Sequence, residues 1–206
     1  MVNQHTFKIS GLTALLMHCG QTADPLNQFS QAMKKISAKR NKTEDDLRAL
    51  SNIEWWAGLY LSRPCSIEGS MVMPHPEAKI IIPAHVLDSC IREGARKIKL
   101  GKQASAGCIV AGDGRFSYDG PSDLVELSKS AEHRAVHAVK VSTSKVMRCR
   151  PTFFDWSVEF DAEIDQSVIE PEHVKDALER AGRLVGIGDW RPGAPRGGSF
   201  GRFEVL

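Results

Sequence analysis

The stretch 153–164, FFDWSVEFDAEI, constrains the chain more than any other. Phe154, Trp156, Val158, Phe160, Ala162 and Ile164 fall on one face, and Asp155, Glu159, Asp161 and Glu163 on the other. A period of two describes a pleated strand with one apolar face against a core and one polar face toward water. The next segment is equally legible. Pro171 opens a helix carrying Val174, Ala177, Leu178 and Ala181, which ends near Gly182. The loop GIGDWRPGAPRGGSFGR comes after the helix, and FEVL closes as a last strand over 200–206.

Earlier in the chain, residues 5–17 read as a strand with Phe7, Ile9 and Leu12 on its buried face. Asp24-Pro25 has the form of a helix start, and KKISAKRNK comes later with five basic residues, Lys39 and Arg40 among them. Thr43 caps a helix over 44–61, with Glu44, Asp45 and Asp46 at the positive end of its dipole. Leu47, Leu50, Glu54, Ala57 and Leu61 mark its inner spacing. Trp55 and Trp56 are neighbours about 100° apart around this helix, so both cannot face the core, and one is expected to meet an insertion, a partner chain or solvent.

A short strand at 79–82 leads into a helix opened by Pro83, with Leu87, Cys90, Ile91, Gly94 and Ile98 inward and Arg92, Arg96, Lys97, Lys99 and Lys102 outward or trailing. Residues 106–111 and 114–118 read as short strands, and Gly112-Asp113-Gly114 as the hairpin turn between them. Residues 135–150 alternate as one further strand.

Taken together, strands at 5–17, 135–150, 153–164 and 200–206 and helices at 83–100 and 171–182 give the order β-α-β-β-α-β. That is an α+β fold with a ferredoxin-like, RRM-like βαββαβ core. The expectation is one domain over 1–206, with insertions at 20–80 (helical) and 103–134.

Composition removes several classes. Hydrophobic residues make up 42% and charged residues 25% of 206, the balance of a water-soluble globule, and the formal charge of +2 is mild. Charge is distributed unevenly, however. Segments 34–42, 92–102 and 140–150 are basic, while 155–179 carries nine acids against Lys175. The five cysteines lie far apart, with no pair at metal-knuckle or redox spacing, so free, mostly buried thiols are expected. No secretion signal or membrane-length apolar run is visible, and a cytoplasmic location is expected.

The loop 186–202 holds six glycines and three arginines, Arg191, Arg196 and Arg202. Glycines allow close backbone approach, arginines bind phosphate, and Trp190 offers a ring on which a base can stack. A Gly-rich loop between the second helix and last strand of a ferredoxin-like domain resembles the RAMP (repeat-associated) superfamily of CRISPR-associated proteins. The likeness rests on the element order and on GIGDWRPGAPRGGSFGRFEV. It implies RNA binding and, by analogy with some members, copies aligned along a strand. No long thumb-like hairpin is expected between the central strands, because Arg150-Pro151-Thr152 joins them directly. The chain also resembles proteins of tailed phages in KKI..KR.KTEDD (34–46), RCRP (148–151) and the C-terminal pattern, which implies a phage-encoded protein acting in a host cytoplasm.

The expected function is non-enzymatic binding of single-stranded RNA or DNA by a homo-oligomer or filament, without cofactor, metal or membrane. Arg191, Arg196 and Arg202 would contact phosphates, Trp190 would stack, and Lys140, Arg148, Arg150, Lys97, Lys99, Lys102, Lys39 and Arg40 would extend the track. The alternative is a phage structural or assembly protein that binds neighbouring subunits without nucleic acid. Enzyme readings are thin. His18 and Cys19 are adjacent and would diverge on a strand, His133 and His137 lack accompanying carboxylates, and Gly186-Ile187-Gly188 follows a helix without a GK[ST].

Overall fold

The computed structural model describes residues 1–141 and 144–206, and side chains other than those of 139–145. The first elements are β1 (Val2–Gly11), β2 (Leu15–Leu16), a 3-10 turn (Gly20–Ala23), α1 (Gln28–Ser37), α2 (Glu44–Gly58), β3 (Ser66–Glu68), β4 (Met71–Met73) and β5 (Ile81–Ile82). Then come α3 (Ala84–Lys97), α4 (Gly101–Gly107), β6 (Cys108–Val110), β7 (Gly114–Tyr118) and α5 (Leu124–Lys129). The chain ends with β8 (Arg134–Val141), β9 (Ser144–Phe153), β10 (Trp156–Asp165), α6 (Pro171–Leu184) and β11 (Phe203–Val205). The fold class is α+β, and the chain forms two compact units. One comprises 1–16, 80–119 and 153–206, the other 17–79 and 120–152.

The first unit is built on an antiparallel sheet ordered β11-β1-β10-β7-β5, with β6 also paired to β10. Its β1, α3, β6/β7, β10, α6 and β11 reproduce the ferredoxin-like order, but the second core strand is 108–118 rather than 135–150. Phe7 lies opposite Phe160 and Ile9 opposite Val158 on the buried face, while Lys8 faces Glu159 and Thr6 faces Asp161 on the outer one. The alternation of β10 holds from Trp156 to Ile164. Phe154, expected inward, precedes the strand and is 53% exposed, and Leu12, beyond the end of β1, is 49% exposed.

Gly112-Asp113-Gly114 is not a hairpin turn. Strand β6 pairs with 162–164 and β7 with 156–159, so the two run one after the other along the same edge of β10. Asp113 in the break accepts a hydrogen bond from the Ala84 N–H (3.0 Å) and so caps α3, whose first turn follows Pro83. Helices α3 and α6 approach closely. A Cβ at Gly94 would overlap the Ala177 carbonyl and lie 2.8 Å from the Ala181 Cβ.

In the second unit, α1 begins at Asn27, whose side chain accepts from the Phe29 N–H, three residues beyond the expected Asp24-Pro25 start. Helix α2 has a full capping box. Thr43 accepts from the Asp46 N–H, and the Asp46 carboxylate accepts from the Thr43 N–H. Both tryptophans are buried, on different flanks of the helix. Their rings meet edge-on at 5.2 Å. Trp55 Nε1 donates to the His133 carbonyl (2.7 Å), and the Arg134 guanidinium lies 5.7 Å from the Trp55 ring. Trp56 borders Met71–Pro76 and α5. The helix is therefore enclosed on two sides, and each ring buries apolar area worth about 4–6 kcal/mol before entropy is counted.

Residues 135–150 do not form one strand. Strands β8 and β9 pair antiparallel from Arg134 opposite Pro151 to Val141 opposite Ser144. A long hairpin therefore does lie between the second and third core strands in chain order, contrary to the expectation drawn from Arg150-Pro151-Thr152. Glu54 anchors it to α2. Its carboxylate accepts from Arg148 Nη1 (3.2 Å), Arg150 Nη1 (3.1 Å) and the Cys149 N–H (3.0 Å).

This packing has two measurable consequences. Gly94→Ala should destabilise the chain by about 1–3 kcal/mol in chemical unfolding, since α3 and α6 must separate. Glu54→Gln removes the carboxylate charge that the Arg148 and Arg150 guanidinium groups share. Amide exchange should then quicken in β8 and β9, with β1 and β10 unchanged.

Candidate nucleic-acid interface

The loop after α6 is stitched to the first unit by main-chain bonds rather than left free. Ile187 N–H donates to Gly201 O (2.9 Å), Asp189 N–H to Leu16 O (2.7 Å), Gly193 N–H to Val185 O (2.8 Å) and Gly201 N–H to Ala14 O (2.8 Å). The glycines serve this packing. A Cβ at Gly201, where φ is 63°, would overlap the Ile187 carbonyl, and one at Gly198 would overlap the Trp190 carbonyl. Trp190 adopts φ 50°, is half-buried, and sits with its ring centre 6.2 Å from that of Phe200.

The three loop arginines differ. Arg191 turns inward, with Nη1 at 3.4 Å from Glu93 Oε2 on α3 and 3.5 Å from the Val185 carbonyl. Arg196 is exposed and has no ion pair among the described residues. Arg202 is half-buried. Its N–H donates to Thr13 Oγ1 (3.0 Å), and its buried Nε has no hydrogen-bond partner among the described residues.

A cluster of uncompensated positive charge in this unit lies where α3 meets α4. Arg96, Lys97, Lys99 and Lys102 are exposed, and none has a carboxylate partner among the described residues. Arg96, Lys99 and Lys102, with Gly101, Gln103, Ser105 and Ala106, line an open concavity of about 640 Å³. The helix end positions them. Leu100 N–H closes on the Ala95 carbonyl (2.8 Å), and Lys99 takes φ 65°, a left-handed place that glycine fills most cheaply. The carbonyl end of the α3 dipole favours cations here, which explains Arg96 and Lys97 but not a lysine at a strained φ. Arg92, one turn back, pairs with Asp88 at 3.6 Å. Lys97, Lys99 and Lys102 belong to the expected set. Arg96 was not in it, although its place in a basic run with one acid was a visible signal.

In the second unit the expected contacts are largely occupied. Arg148 and Arg150 are bound to Glu54, and Lys39 is bound to Asp46 (2.6 Å). That pairing, together with the Thr43 N–H, holds the Asp46 carboxyl below its ordinary range. Arg40 is exposed. The Lys140 side chain lies outside the described residues. Glu54 was missed as the hub, although a carboxylate on the inner stripe of a helix calls for a cationic partner.

The cysteines are all free, and burial raises the Cys65 thiol to about 11, Cys90 to about 12 and Cys108 to about 11. These three are neutral, poor nucleophiles near pH 7. His18 and Cys19 lie outside any strand, and the His18 carbonyl accepts from the Tyr60 hydroxyl (3.0 Å). Buried His133 shares a hydrogen bond with Ser130 Oγ (2.9 Å). Among the described residues no three His, Cys, Asp or Glu side chains come together as a metal site, and no helix is long and apolar enough to cross a membrane.

No family model matches the chain, and no curated protein matches it. Among solved structures it is similar to Cmr6 from Pyrococcus furiosus at 10% identity, over 100% of this chain and 99% of that one. The TM-score is 0.38, an agreement that by itself assigns neither fold nor function.

Proposed function

We propose that the chain binds the phosphodiester backbone of a single-stranded nucleic acid without catalysing a reaction on it, several copies lying along one strand. The observation that carries this reading is the α3–α4 junction. Among the described residues Arg96, Lys97, Lys99 and Lys102 stand exposed without carboxylate partners beside an open concavity, whereas Arg191, Arg148, Arg150 and Lys39 are engaged by acids. Unpaired cations around a concave, water-filled surface suit a polyanion that brings its own counter-charge and releases condensed ions on binding. Arg196 is a further contact of the same kind, and Arg202 supplies a partnerless Nε.

A second reading, a subunit that assembles with its own copies without nucleic acid, is favoured by the outer face of the sheet. There Glu159, Asp161, Glu163 and Glu204 outnumber Lys8 and Arg115, and Arg115 bridges Glu159 (2.7 Å) and Asp161 (3.4 Å). Such a face repels phosphate and fits a basic surface of another copy.

The two readings separate in one preparation. Light scattering with absorbance at 260 and 280 nm shows either nucleic acid carried with the protein or pure-protein oligomers. Titration of fluorescent single-stranded RNA and DNA at several salt concentrations should show a complex that weakens steeply with salt. Replacing all four junction cations should flatten the log–log slope by up to about 3. Absence of any salt-sensitive complex at low salt would sink the nucleic-acid reading. Lys99→Gly separates binding from folding, since it should weaken the complex while raising stability by about 0.5–1 kcal/mol through relief of the left-handed backbone.

A further inference from the structure

The second unit contains a groove that the nucleic-acid reading does not use. Its volume is about 590 Å³, and it is lined by Asn52 and Trp56 of α2, by Met71, Val72, Met73, Pro74 and Pro76, and by Asp123, Val125, Ser128 and Lys129 around α5. Met71 is 62% and Val125 41% exposed, so two apolar walls stand open to water above a buried indole.

Three consecutive residues of β4 border this groove. Alternate side chains of a strand diverge, so three in a row means that the strand's edge, not one face, forms the border. Strand β4 pairs on one side only, with β3, in the register Glu68–Met71, Ile67–Val72 and Ser66–Met73. Glu68 and Met71 flank the two-residue turn Gly69-Ser70 and form the hydrogen-bonded pair that closes it. Ile67 and Val72 are then a non-bonded pair, and the Val72 N–H and C=O point away from β3. Val72 is 8% exposed, and among the described residues no main-chain bond outside the β3–β4 ladder involves it. Buried main-chain groups are almost always paired, so an unpaired set on a strand edge beside an apolar groove calls for a strand.

We propose that β4 and this groove receive an extended peptide of a partner protein by strand addition. The Val72 N–H and C=O would pair with the peptide main chain, and one apolar side chain would seat over Trp56 between Met71 and Val125. The rim selects the flanking charge. Asp123 and Lys129 line it, and the Lys129 ammonium is already paired with Glu126 at 2.9 Å, so Asp123 is the rim charge left to meet a cation. It favours a lysine or arginine beside the apolar anchor, and it disfavours phosphate.

The test uses the full chain with a library of capped pentapeptides alternating Leu, Val, Phe or Tyr with Thr or Lys. Binding is read by fluorescence and by the amide shift of Val72. At least one member should bind and move the Val72 amide. N-methylation of its central residues should cost tenfold or more, because it removes main-chain donors while keeping the apolar surface. Met71→Glu and Val125→Glu, both at exposed positions, should each abolish binding while leaving the folded spectrum intact. Equal binding of N-methylated peptides overturns strand addition, and failure of every member to bind overturns the site. Either result leaves the salt-dependent nucleic-acid titration unaffected, so the two proposals fail separately.

Discussion

Strand β1 pairs with β10 from Val2 opposite Asp165 to Ser10 opposite Ser157, and this long antiparallel ladder organises the first unit. It sets Phe7 and Ile9 against Phe160 and Val158 on the buried face. The free edges of the two strands then take β11 on one side and β6/β7 on the other. A slip of one residue would carry every aromatic of β10 to the outer face and put Glu159, Asp161 and Glu163 in the core. Helices α3 and α6 settle over the buried face at a distance that only glycine at 94 permits, and the ends of those helices carry the basic junction and the C-terminal loop.

Charge in this protein is best read by asking which cations are already satisfied. Arg191, Arg148, Arg150 and Lys39 look like any other basic residues in the sequence, yet each meets a carboxylate. Arg96, Lys97, Lys99 and Lys102 meet none among the described residues, and Lys99 occupies a backbone conformation that costs stability. Local strain combined with unpaired charge separates this surface from an ordinary solvated helix end. The Gly-rich loop, the most conspicuous feature of the chain, uses its glycines to fold back on itself rather than to form an open cradle.

The second unit is organised around α2. A helix with two neighbouring tryptophans needs cover on two sides, and the unit provides it with the start of β8 on one flank and the β4–α5 groove on the other. Glu54 then ties the β8–β9 hairpin to the same helix. Among the described residues this cover leaves the outer edge of β4 without a paired strand.

The sequence by itself determined the elements whose signal is local. The alternation of β10, the Thr43 cap of α2, the Pro-opened α3 and α6, and the α+β class with a ferredoxin-like order were all legible, because each depends on spacing along one segment. Tertiary structure decided which segment became the second core strand. Residues 108–118 are two short pieces whose pairing with β10 is remote in sequence, while 135–150 alternates just as well and folds back on itself instead. It also decided that both Trp55 and Trp56 are buried, since a helix pattern describes one apolar stripe and says nothing of a second layer on the opposite side. For the candidate interface the basic runs were visible. Only the folded chain showed which of those charges remain unpaired, because the acids that neutralise Arg148, Arg150 and Arg191 come from segments roughly a hundred residues away.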